Sequence, residues 1–163
     1  MTPREIASRI DAAGTAVEAE LGAMPDELAS WHPAEGEWCV KEVLAHVMQS
    51  ERIGFAGRIE EILAADEPPL RATPPAPPAC EENLEKMLAD FRAQRTRSVE
   101  LVAGLQPADL GRGGIHERVG RLTVNELLHE WVHHDRTHVK QILANVQAYV
   151  WPAMGNTQKF SAG

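Results

Sequence analysis

Apolar positions along the chain recur at three- and four-residue steps in four separate stretches. In the first, from about Arg4 to Ala23, Ile6, Ile10, Ala13, Val17 and Leu21 form one stripe, the mark of an amphipathic helix. Pro25 stops it. The second runs from about Val40 to Ala65, with Val43, Leu44, Val47 and Gly54 on one face, widened by Ile53, Phe55, Ile59 and Ile62. In the third, from about Glu81 to Leu105, Leu84, Met87, Leu88, Phe91, Val102 and Leu105 share a face. The fourth opens at Thr123, which makes a capping-box pattern with Glu126, and continues to about Tyr149.

The connections decide how these helices are arranged. Asp66 to Pro78 holds six prolines, which remove backbone donors and hold φ near one value, so this segment is a stiff, extended crossover. Residues 111–121, GRGGIHERVGR, read as a Gly-rich loop. Strand-type alternation is scarce and argues against a sheet. The pattern therefore predicts an all-α fold, a four-helix bundle with one long Pro-rich crossover between helices 2 and 3. At 163 residues the chain is the size of one domain, residues 1–163, and can bury a core without disulfide staples.

Charge and cysteine usage narrow the partners. Sixteen basic against 24 acidic residues give a net charge of −8, which speaks against a nucleic-acid partner. No apolar run approaches the ~18 residues of a membrane span. The first eleven residues are charged where a leader would be apolar. Cys39 and Cys80 show neither C-x-x-C nor short metal-type spacing. The expectation is a protein of the reducing cytoplasm.

Seven histidines are the anomaly, and four of them fall between His129 and His138. At roughly 100° per residue, with Val124 set at zero, the apolar residues Leu127, Leu128, Trp131, Ile142 and Val146 fall within about 60° of it. His138 then lands at roughly −40° and His134 at roughly −80°, toward the bundle interior. His129 and His133 land near 140° and 180°, on the solvated side. Residues four apart on a helix lie one above the other, so His134 and His138 can grip one ion. The alternative is a pair of hydrogen-bonded core histidines. An H-E-x-x-H protease is not indicated, because Asp135 follows His134 directly. A tetrahedral ion needs a third ligand, and His32, His46 and His116 are the candidates. His46 lies at the edge of the second helix's apolar face, and periodicity does not choose between core and boundary.

Two segments, GEWCVKEVLAHVMQSE (Gly36 to Glu51) and GRLTVNELLHEWVHHDRTHVKQI (Gly120 to Ile142), resemble the DinB/YfiT-like metalloenzymes. The Pro-rich crossover after the second helix is a further cue. Cys39 departs from the family pattern, which commonly has Ser there. The resemblance implies one metal-binding His from the second helix and two from the fourth, here His46, His134 and His138. It implies Zn²⁺ or Ni²⁺, a low-molecular-weight thiol as cosubstrate in some members, and a homodimer.

Three neutral imidazoles leave a divalent ion with an open position. Such an ion can lower the pKa of bound water toward ~7 or hold a thiol as its thiolate. The function read from the sequence is thus a metal-dependent enzyme, a thiol S-transferase or hydrolase acting on a small molecule. The alternative is a non-catalytic protein that binds or sequesters a metal or small molecule. Gln94, Arg95 and Ser98 interrupt the apolar face of the third helix. They are candidate substrate contacts, with a structural pairing of Arg95 to Asp135 or Glu51 as the competing role. Trp38 and Trp131 read as packing residues.

Overall fold

Helix α1, Pro3–Gly22, begins where Thr2 and Glu5 cap each other, and Pro3 occupies its first turn, where no amide donor is needed. A short helix α2, Asp26–Ser30, follows. These elements belong to a computed structural model that describes residues 1–161. The second long helix is composite: α3 (Val40–Gln49), a π-helical segment (Ser50–Gly57) and α4 (Arg58–Ala64). Helix α5 spans Leu84–Gly104 and α6 spans Val124–Val150. Thr123 and Glu126 form the capping box that starts α6. A 3₁₀ turn (Trp151–Thr157) and α7 (Gln158–Ser161) complete the described chain. The long helices pack as a four-helix bundle in which α1 lies against both α5 and α6.

The prediction of a bundle without a sheet needs correction. Strands β1 (Pro69–Leu70), β2 (Gly113–His116) and β3 (Gly120–Thr123) form a small sheet in the order β1-β2-β3. Strand β1 runs parallel to β2, and β2 and β3 make an antiparallel hairpin. The strands are too short for an alternation to show, and the glycines read as loop are what admit the close approach. A Cβ on Gly114 would fall 2.7 Å from the carbonyl oxygen of Pro68. The crossover prolines remain outside the middle of the sheet, since β1 is an edge strand.

The two cysteines are also closer than their spacing suggests. Cys39 and Cys80, 41 positions apart, are joined as a disulfide that ties the start of α3 to the end of the crossover. Distance along the chain carries no information once an extended segment has folded back.

The core has two apolar clusters, one centred on Val17, Leu44, Phe91 and Ile142, the other on Ile10, Ile59, Val102 and Trp131. A polar layer separates them. Arg95 of α5 is buried there, with its Nη1 and Nη2 on the two carboxylate oxygens of Asp135. Its Nη2 lies 2.9 Å from Glu51 Oε2, and its Nη1 donates to the Ile10 carbonyl at 2.6 Å. Gly14 makes room for the Arg95 stem, since a Cβ there would sit 3.0 Å from Cγ. Burial works against the Arg95 charge, but Asp135 and Glu51 outweigh it and keep the guanidinium protonated. Burial pushes the Glu51 and Asp135 carboxyls upward, and Arg95 pulls them back.

Removing one member of such a cluster leaves an uncompensated interior charge. Arg95→Met should therefore lower unfolding free energy by about 3–5 kcal/mol. Urea denaturation checks this, and a loss below about 1 kcal/mol would show that the layer is not a stabilising unit.

Candidate metal centre

The three histidines that the family resemblance implies as ligands meet in the structure. His134 and His138 stand one turn apart on α6, and His46 reaches them from the last turn of α3. Ring centroids are 4.4 Å apart for His134–His138, 4.7 Å for His46–His138 and 5.1 Å for His46–His134. The Nε2 atoms of His46 and His134 are 3.1 Å apart, and one nitrogen from each ring lies within 4.8 Å of the others. His129 and His133 are exposed on the far side of α6, as the helix phase predicts.

The surroundings prepare these rings as ligands. The His138 Nδ1–H donates to Gln141 Oε1 at 2.9 Å, which fixes the tautomer and leaves Nε2 as the free lone pair. Phe55, from the π segment, meets His134 edge-on at 5.2 Å and stacks on Trp131. Burial, followed by the neighbouring His138, lowers the pKa of His46. Burial, followed by His138 and His46, takes His134 down to about 3. At neutral pH His46 and His134 are uncharged donors. The His134 Nδ1 is buried and without a partner among the described residues. Three imidazoles converging in a partly buried site are the donor set that a borderline ion such as Zn²⁺ or Ni²⁺ accepts.

An open cleft of about 460 Å³ lies beside His46. Trp38, Glu42, His46 and Ser50 form one wall, and residues 73–78 of the crossover form the other. Gln49 holds that second wall by donating to the carbonyls of Pro74 and Pro75, both at 3.1 Å. Trp38 is 41% exposed, tilted over His46 at 5.0 Å and stacked near His138 at 6.5 Å. The sequence reading made Trp38 a packing residue and left out Glu42 and the proline wall. The available signal was the position of Trp38 immediately before the helix carrying His46. Nothing local revealed that the crossover would return over that helix.

The remaining candidates go elsewhere. Arg95 directs its donors to Asp135, Glu51 and Ile10. Gln94 donates to the Met48 carbonyl at 2.9 Å, and Ser98 is buried beside Glu51. Among the described residues, none of the three lines the cleft. His116 packs against Arg58 in the small sheet, and His32 joins a different group of donors.

The profile of the DinB superfamily matches residues 9–142. The chain belongs to that superfamily. Two solved structures share its fold. YfiT from Bacillus subtilis, described as a probable metal-dependent hydrolase with an unusual four-helix bundle topology, is 17% identical with a TM-score of 0.80. That match covers 89% of this chain and 86% of YfiT. TT2238, described as a four-helix bundle protein, is 23% identical with a TM-score of 0.66, over 88% of this chain and 99% of its own. No curated protein matches the chain. No helix among the described residues is long and apolar enough to cross a membrane.

The depressed basicity of His134 has a pH consequence in the metal-free protein. Its folded pKa lies below its unfolded value, so the unfolded chain takes up the proton first. The stability tied to this ring is whole above about pH 6.5 and declines as pH falls toward about 3. NMR titration should show the His134 ring still unprotonated well below the ordinary imidazole value of ~6.5; a midpoint near that ordinary value would contradict the buried geometry.

Proposed function

We propose that this DinB-superfamily protein is a divalent-metal-dependent enzyme that acts on a small molecule in the cleft beside His46. The observation that carries this reading is the convergence of three imidazoles next to an open cleft with, among the described residues, no fourth protein ligand in their group. Structural zinc sites are closed by four protein ligands, whereas catalytic ones keep a position free. A non-catalytic sequestration site would be expected to close that position.

His46, His134 and His138 would hold a divalent ion, Zn²⁺ or Ni²⁺ by donor type, which would supply Lewis-acid activation and lower the pKa of water or a thiol toward neutrality. The chain supplies the frame. Gln141 holds the His138 ring in one tautomer. Trp38 and the prolines of the crossover give the substrate an apolar surface and shield one side of the centre from bulk water. Ser50, whose Oγ is 3.5 Å from His46 Nε2, places a hydroxyl at the cleft floor. Arg95 acts through Asp135 as a positioning residue, with Ser98 packed behind it and Gln94 bracing the Met48 carbonyl.

The nucleophile we favour is water, giving a hydrolase; the published description of YfiT supports that choice. Attack by a low-molecular-weight thiol, giving an S-transferase, is the reading favoured by the family resemblance of the motif segments. Both place the same residues in the same roles.

Metal analysis of tag-free protein in its disulfide form should find one ion per chain, lost in His134→Ala and kept in His129→Ala. Turnover of a panel of esters, amides and electrophiles, with and without small thiols, should disappear in His134→Ala. Metal retained by His134→Ala would overturn the site, and tight metal binding without turnover of any compound would favour sequestration.

A further inference from the structure

A second set of donors converges where the crossover reaches α3. His32 Nε2, Cys39 Sγ, Glu42 Oε2 and Cys80 Sγ all lie within 4.8 Å of one another. His32 Nε2 is 3.5 Å from the Cys80 sulfur and 3.2 Å from the Glu42 oxygen. A tetrahedral Zn²⁺, with Zn–S of ~2.3 Å and Zn–N or Zn–O of ~2.0–2.1 Å, has S···N edges of about 3.6 Å and N···O edges of about 3.4 Å. The observed separations are close to those edges.

The donors are held in place by contacts other than the sulfur–sulfur bond. The Cys39 amide donates to Glu42 Oε2 at 2.9 Å. The Cys80 carbonyl accepts from Ser30 Oγ at 3.1 Å and from Lys41 Nζ at 3.2 Å. Lys41 is itself buried and paired with Asp26 at 2.7 Å. Breaking the disulfide therefore leaves both sulfurs at the same corner of the molecule. The Cα atoms of the two cysteines, 6.8 Å apart, need not move far for the sulfurs to separate to the roughly 3.8 Å edge of a shared ion.

We propose that the reduced protein binds a second divalent ion at His32, Cys39, Glu42 and Cys80. The donor set of two thiolates, an imidazole and a carboxylate selects a soft or borderline ion such as Zn²⁺ over Mg²⁺ or Ca²⁺. With four protein ligands the site is closed, and its role is structural. The disulfide and the ion are alternative closures of the same corner. Two equivalents of a thiol reductant cleave the Cys39–Cys80 bond, giving two cysteine thiols and the reductant's own disulfide. Zn²⁺ then displaces both thiol protons to solvent. Two thiolates and a carboxylate on a dication leave one excess negative charge, beside the Lys41–Asp26 ion pair. Cys80 lies two residues beyond Pro78, the last residue of the proline wall, so each closure pins the wall of the cleft. This site does not depend on the reading of the three-imidazole centre.

The test titrates tag-free protein with Co²⁺ and with Zn²⁺ under anaerobic conditions, once after reduction by a dithiol and once in the disulfide form. Reduced protein should bind one more ion than the disulfide form, and the added Co²⁺ should show thiolate-to-cobalt charge-transfer absorption. Cys80→Ser should abolish that absorption. His32→Ala should weaken the added ion by more than the roughly 10–100-fold that loss of an outer-sphere partner costs. His134→Ala should leave the thiolate signal intact, which separates this site from the three-imidazole centre. Three results would overturn the proposal: a disulfide that resists the dithiol in the native protein, reduced protein without the thiolate signal, or a signal of unchanged affinity in His32→Ala.

Discussion

A buried guanidinium shared by two carboxylates sets the geometry on which the metal centre depends. Arg95 belongs to α5, Asp135 to α6 and Glu51 to the π segment, and the Ile10 carbonyl that joins them belongs to α1. An interior charge is tolerated only when it is paired. None of these elements can then rotate about its axis without exposing a bare ion to an apolar interior. Asp135 directly follows His134, and Glu51 lies five positions beyond His46. The layer that fixes the azimuth of α6 and of the composite helix therefore also fixes where their imidazoles point.

The π segment makes the composite helix compatible with both tasks. In an unbroken α-helix, Phe55 would lie about 180° from His46. The π turns rotate less per residue, so Phe55 comes back toward the imidazoles and meets His134. Glu51 enters the polar layer through the same segment while Ser50 stays at the cleft. The hydrogen-bond shift within the helix thus separates two polar residues, adjacent in sequence, into two different environments.

This division explains what could be read from the sequence. The helices and the two opposed histidine pairs of α6 follow from a period that each residue obeys locally, so His134 and His138 could be told from His129 and His133 by phase alone. The phase of His46 was ambiguous because it lies at the edge of its helix's apolar face, where the structure leaves it half-buried. Its assignment came from the motif resemblance. The small sheet was hidden because strands of two and four residues carry no measurable alternation. The cleft wall and the Cys39–Cys80 pairing were hidden for a different reason. Both are created by the return path of the crossover, and proline content reports the stiffness of that path but not its direction.

The low proton affinity of His46 and His134 bears on what the site can hold. A proton reaching His134 brings charge into a desolvated space and has at most two ring nitrogens to share it. A chelated divalent ion brings more charge but distributes it over three nitrogens at once, in a frame already ordered by the helices. The neighbouring layer of one guanidinium and two carboxylates carries an excess of negative charge when all three are ionised, which favours a cation close by. Burial disfavours the monodentate cation, while the multidentate one is supported by three donors at once. The burial that makes His46 and His134 poor bases in isolation therefore suits them, together with His138, to a metal.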